Sequence, residues 1–321
     1  MKRITRRIAL AGLASGTAAV AGAASAANGS SAIAASRRTG QRLYPAQTGW
    51  TTPPPIEPAR EGPVSIPGTT LWHQDMGGSG VPVVLLHANT GCYASWPYQQ
   101  SALAAAGLRA IAYSARGFHR SGAIDPADPG TSTGDLAALL DRLEILQAHI
   151  VGTAAGGLAA LDYSLSRPER VLSLTVSSSH MSIVDPEFAE VSRGMVPDGV
   201  YATWRTFSEL GPSYRAANPA GVAAWEAIAK VARQDAAVRQ KTETPNSFAR
   251  IAGLSVPALF ITGDADPIMP PARMREVASR APGSEIAAIA EAGHSPAWEQ
   301  PEAFNAAVLE FIGRQSRPSN P

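Results

Sequence analysis

The run His149-Ile-Val-Gly-Thr-Ala-Ala-Gly-Gly-Leu158 decides how the rest of the chain is read. Its apolar first half predicts a buried strand that stops at a tight corner and turns directly into a helix. Gly152, Gly156 and Gly157 flank that corner. Small residues are needed there because neighbouring elements pass close, and because the corner residue itself sits in strained backbone. That residue is Ala154.

Outward from the corner, strand-like and helix-like runs alternate. Val81-Pro-Val-Val-Leu-Leu-His87 is a continuous apolar run bounded by Gly80, as expected of a strand buried on both faces of a parallel sheet. Val64 to Ile66 and Thr69 to Trp72, joined at Pro67-Gly68, predict an edge hairpin. Helix is expected over Trp96 to Ala106, Thr133 to Ile145 (with Thr133 as cap), Ala155 to Arg167, Pro271 to Arg280 and Pro301 to Arg314. Strand is expected over Leu108 to Tyr113, Ala148 to Val151, Val171 to Ser177, Ala258 to Thr262 and Glu285 to Ile289. Strands spaced by such helices give right-handed βαβ units and a doubly wound sheet.

Four further segments make the chain resemble the α/β-hydrolase superfamily. His87-Ala88-Asn89-Thr90-Gly91 stands where that family has His-Gly-x, with Ala88 for Gly. Tyr113-Ser-Ala-Arg-Gly-Phe-His-Arg-Ser-Gly122 is similar to its Y-D-x-R-G-x-G-x-S turn. Gly263-Asp264-Ala265-Asp266-Pro267 is similar to its acid turn, and Ala292-Gly293-His294-Ser295-Pro296 to its histidine turn. The order of corner, acid and base along the chain also matches. The resemblance spans roughly residues 64 to 315.

The resemblance implies an α/β-hydrolase fold and a role for each matched position. Residue 154 is where the family carries its nucleophile, so Ala154 leaves the corner without one. Asp266, favoured over Asp264 on spacing, implies the carboxylate that accepts the imidazole Nδ1–H; His294 implies the base. The backbone N–H groups of Asn89 and Ala155 imply the oxyanion hole, which needs no particular side chain. The turn holding Arg116 and His119 is implied to be structural. The insertion from about residue 181 to 249 falls where the family carries a helical cap; its Phe188, Tyr201, Trp204, Phe207, Tyr214 and Trp225 line an apolar pocket or pack the cap onto the core.

Other nucleophiles are weak alternatives. Thr153 precedes the corner and is expected to point away from His294. Cys92 sits in a loop with no elbow to present it and reads as a small buried hydrophobe. Ser177, Ser178 and Ser179 end a strand without an acid among them.

Bulk properties bound the rest. A chain of 321 residues with a 45% hydrophobic share can bury a sizeable core. Residues 1 to 26 combine a basic start, Arg6-Arg7, an apolar run from Ile8 to Ala23 and the small-residue site Ala24-Ser25-Ala26. Together they predict an export signal similar to the twin-arginine kind and an exported, periplasmic or extracellular protein. The apolar run is short of the roughly 20 residues that a membrane anchor needs, so no stable span is expected after signal removal. Without Lys2, Arg3, Arg6 and Arg7 the net charge of +1 becomes −3, so no basic footprint for nucleic acid remains. Residues 27 to 62, rich in Ser, Ala, Thr and Pro, are expected to be a flexible linker, with the domain over 63 to 315 and a tail over 316 to 321. No metal cluster or phosphate-cradling loop is recognisable, so no cofactor is expected.

Three readings of Ala154 stay open. In the first, the parent activity is hydrolysis of a small neutral ester, lactone or activated C–C bond, with little turnover left. In the second, His294 and Asp266 work as a cofactor-independent base pair for oxygenase- or lyase-like chemistry. In the third, the chain is a non-catalytic ligand-binding relative. The partner in each case is a small molecule.

Overall fold

The computed structural model describes residues 40–195, 199, 205–233 and 239–315. The expected export signal, the start of the linker, the tail over 316–321, Tyr201 and Trp204 lie outside the described residues. Among those described, one sheet is built from β1 (Arg42–Tyr44), β2 (Arg60–Ile66), β3 (Thr69–Asp75), β4 (Pro82–Leu86), β5 (Arg109–Tyr113), β6 (Ala148–Thr153), β7 (Val171–Ser177), β8 (Ala258–Gly263) and β9 (Glu285–Ile289). The order across it is β1-β9-β8-β7-β6-β4-β5-β3-β2. All neighbours run parallel except β2 with β3 and β3 with β5.

Alternation of side chains along each strand sorts the core into two layers. Val84 and Leu86 of β4 join Ile150, Leu174 and Phe260 on one face, covered by α2 (Ser132–Arg142), α3 (Ala155–Ser166) and α9 (Pro271–Ala278). Val83 and Leu85 join Val151, Leu259 and Ile261 on the other, covered by α1 (Pro97–Ala105), the short α10 (Pro296–Glu299) and α11 (Pro301–Gln315). Burial on both faces is why β4 reads as an unbroken apolar run. The fold is the α/β-hydrolase fold, a mostly parallel sheet with helices on both sides.

The expected elements appear with small shifts of boundary. Thr131, not Thr133, caps α2, its hydroxyl accepting Gly134 N–H at 3.0 Å. Thr133 lies inside the helix and donates to Glu243 Oε2. The insertion carries α4 (Pro186–Gly194), α5 (Arg205–Glu209), α6 (Pro212–Ala217), α7 (Pro219–Ala232), and α8 (Phe248–Ile251).

One expectation needs correction. Residues 40–62 were expected to be linker, yet β1 extends the sheet beside β9, with Leu43 opposite Ala288. Tyr44 is buried and donates to Glu310 Oε2 at 3.1 Å, Arg42 pairs with the same carboxylate, and Trp50 meets Tyr214 edge to face at 5.0 Å. A strand of three residues is too short to register as a period, and composition gives no hint of anchoring. Of the two alternatives for the insertion's aromatic residues, packing predominates. Phe188 stacks edge to face on Phe248, Tyr214 is buried near Trp298, and Phe207 is exposed. Trp225 lines the smaller cavity with Trp96 and Trp298.

Candidate active site

The corner has the geometry its glycines predict. Ala154 sits at φ 48°, ψ −113°, sparsely populated space for a residue with a Cβ. The surroundings enforce it. A Cβ on Gly156 would lie 2.1 Å from Leu86 O, and one on Gly152 2.3 Å from Gly156 O, so only glycine lets β6, β4 and α3 approach this closely. Ala154 N–H donates to Ser177 O at 2.9 Å, and the Ser179 hydroxyl donates to Ala154 O at 2.6 Å. Backbone and neighbours hold the corner, so it survives with no nucleophile on it.

Because β6, β8 and β9 are parallel, the loops after them leave the same edge of the sheet. The loop after β8 carries Asp266 and the loop after β9 carries His294. Asp266 Oδ1 accepts the N–H groups of Ile268 (2.8 Å) and Met269 (2.9 Å), while Oδ2 lies 2.9 Å from His294 Nδ1. Both side chains are buried. Asp264, the competitor within the loop, is exposed. With Nδ1 committed to the carboxylate, Nε2 is the nitrogen left to exchange protons.

Burial alone would strip the proton from His294. The charge and hydrogen bond of Asp266, with Glu209 and Glu299 behind it, overcome that and push its pKa up to about 9. Burial has the opposite effect on Asp266, raising its proton affinity, but His294 and the two backbone N–H groups hold it below the usual carboxylate range.

Asn89 and Ala155, the residues matched to the oxyanion hole, line one cavity of about 250 Å³ together with Leu86, Leu158, Arg233 and Gln240. His87 fixes this loop. Its Nδ1–H donates to Ala88 O at 2.7 Å and its Nε2 accepts Ala115 N–H at 3.0 Å, and burial lowers its pKa to about 4, so the ring is neutral. Arg116, in the turn expected to be structural, forms a buried ion pair with Asp135 (2.7 Å) and also donates to Pro67 O. His119 stacks on Tyr93 instead of turning inward.

The alternative nucleophiles are placed as follows. Cys92 is buried in the core, and burial raises its pKa. The buried hydroxyls of Ser177 and Ser178 have no hydrogen-bond partner among the described residues, and Ser179 is spent on the corner backbone. Thr153 lines a second cavity of about 40 Å³ with Thr90 and Ser295.

Three acid-base residues were missed in the sequence. Glu299 accepts Gly293, Gly211 and Ser295 N–H groups at 2.6–3.0 Å, tying the histidine turn to the insertion; burial pushes its pKa up to about 7. His180 follows the Ser177-Ser-Ser run, and burial, then the charge of His294, lowers its pKa to about 4. Glu209 ends α5 and is buried, with Oε2 lacking a hydrogen-bond partner. A five-residue helix shows no apolar stripe, so nothing in the sequence marks Glu209 as inward-facing. Among the described residues no group of three His, Cys, Asp or Glu is placed to hold a metal ion.

A profile of the Alpha/beta hydrolase family matches residues 83–307, and the chain belongs to that family. Among curated proteins it is 27% identical over 268 residues to the 2-hydroxy-6-oxononadienedioate/2-hydroxy-6-oxononatrienedioate hydrolase of Burkholderia vietnamiensis, covering 77% of this chain and 93% of that one. Among solved structures it resembles a thermophilic esterase from Thermogutta terrifontis, with malate bound, at TM-score 0.68 and 26% identity over 81% of this chain and all of that one. The enol-lactonase from Burkholderia xenovorans LB400 shares the fold at TM-score 0.64 and 23% identity, over 78% of this chain and all of that one.

Proposed function

We propose that the chain carries a hydrolase-type site for a small ester, lactone or activated C–C bond, with the route through a covalent acyl-enzyme closed at Ala154. The observation that carries this reading is the buried His294–Asp266 pair on the sheet edge where the corner also ends. Nothing in folding requires such a pair. His294 would serve the substrate through Nε2, Asp266 would orient it, and Asn89 and Ala155 N–H groups would stabilise the developing oxyanion. Loss of a triad serine costs about a million-fold in kcat, leaving roughly 10³ to 10⁴ over water from the remaining groups.

The expectation of a neutral substrate gives way to an acidic one. Arg233 and Arg239 line the larger cavity, and Arg233 donates to Asn89 Oδ1 at 2.9 Å. A carboxylate remote from the reacting carbonyl suits that wall. The related esterase holds malate, and the related Burkholderia vietnamiensis enzyme is named for a dienedioate. The test compares the protein with Ala154→Ser on p-nitrophenyl esters and small lactones, with and without a pendant carboxylate. A gain of several orders of magnitude, larger for the acidic probes, is expected; no gain on any probe overturns the reading.

We also infer export, from the basic start, Arg6-Arg7 and the Ala24-Ser25-Ala26 site. Lysine at both positions 6 and 7 should leave the protein in the cytoplasm; unchanged export would show that the twin-arginine route is not the one used.

A further inference from the structure

We infer that Glu209 is a catalytic general base that activates water directly, so that the site hydrolyses its substrate without a nucleophile at position 154. This rests on the hydrolase reading of the same site. Glu209 reaches the site from the insertion. Two residues on, Gly211 is packed against the histidine turn: its N–H donates to Glu299 Oε2 at 2.6 Å, and a Cβ on it would lie 2.8 Å from Gly293 N. Glu209 is buried within electrostatic reach of His294, Asp266 and Arg205 and beside Thr90. Thr90 follows Asn89 in the loop matched to the oxyanion hole. The Glu209 Oε2 is buried and has no hydrogen-bond partner among the described residues.

A buried carboxylate with one unpartnered oxygen is costly, and such groups are kept where chemistry uses them. Burial raises the proton affinity of Glu209, making it a stronger base than an exposed glutamate. The step balances. Glu209 takes a proton from water as the water oxygen attacks the carbonyl carbon, and the carbonyl electron pair moves onto the oxygen held by Asn89 and Ala155 N–H. Collapse of that adduct breaks the bond to the leaving group, which takes a proton from the imidazolium of His294 at Nε2. Glu209 then passes its proton to His294, and one ester plus one water has become one acid and one alcohol.

The experiment uses the purified protein, Glu209→Gln and Ala154→Ser on p-nitrophenyl esters and small lactones. Measurable turnover of the unaltered protein with no covalent adduct in its intact mass is expected. In Glu209→Gln, kcat should fall by about 10²-fold with KM little changed, and the acid limb of the pH–rate profile should vanish. Melting temperature should not fall, since an isosteric amide relieves a buried charge. If Glu209→Gln does not fold, Glu209→Asp keeps the charge but withdraws it by one methylene, and full activity in that variant refutes the assignment. Retained turnover in Glu209→Gln, or an adduct on the unaltered protein, also refutes it. An inert parent beside an active Ala154→Ser sinks this inference alone; inertness of both sinks the hydrolase reading with it.

Discussion

Asp266 Oδ2 stands 2.9 Å from His294 Nδ1, while Oδ1 of the same carboxylate is held by two backbone N–H groups. The carboxylate therefore has a fixed direction, and the ring takes its orientation from it. Asp266→Asn keeps the shape and removes the charge. In the Ala154→Ser background, kcat should fall by about 10⁴-fold. By NMR, the imidazole pKa should drop from about 9 toward its ordinary range. An unchanged titration would show that Asp266 does not hold the proton on His294.

Replacing alanine by glycine normally destabilises a protein, but position 154 should reverse the sign. Its φ of 48° and ψ of −113° cost a side chain roughly 1–3 kcal/mol, while glycine's extra freedom in the unfolded chain costs about 0.4–1 kcal/mol. Ala154→Gly should therefore gain about 1 kcal/mol in urea unfolding. A loss of that size would show that the corner is not strained.

The ionisation of His294 also sets a stability slope. Its folded pKa of about 9 lies above the ordinary 6.5, so the native state binds more protons between those values. The stabilisation is complete below pH 6.5 and is lost as pH rises through about 9. Glu299, raised from 4.5 to about 7, works in the same direction between those values, below most of the His294 window. Chemical denaturation should show stability falling from pH 6.5 to 9, with a flatter slope in His294→Gln. Equal slopes would assign the effect elsewhere.

Arg116 and Asp135 are buried together, with side-chain exposures of 3% and 7%. Removing one partner strands the other charge. Arg116→Ala should cost about 3–5 kcal/mol, whereas an exposed pair such as Arg120–Glu61 should contribute less than about 1 kcal/mol. Thermal melts of Arg116→Ala and Arg120→Ala check the contrast.

Much of this architecture was legible because its signals are local. The unbroken apolar run before His87 and the three glycines around Ala154 each report a physical demand made within a few residues. Asp266 and His294 could be named because each follows a readable strand. Glu209, Glu299 and β1 could not. Their placement depends on contacts with segments far along the chain: Gly211 on Gly293, Tyr44 on Glu310, Glu209 beside Thr90. No period in a five-residue helix or a three-residue strand announces such contacts. The charged wall of the larger cavity was missed for the same reason, since Arg233 and Arg239 meet Asn89 and Ala155 only in the folded chain.

The Leu86 carbonyl presses against Gly156 hard enough to forbid any side chain there, and this fixes the bend before residue 154 is consulted. Residue 154 is consequently a replaceable fitting: serine, alanine or glycine can occupy it without the scaffold having to be rebuilt. Reactivity at this spot is thus decoupled from foldability, so a lineage can discard or regain the hydroxyl in a single codon step while keeping the same architecture.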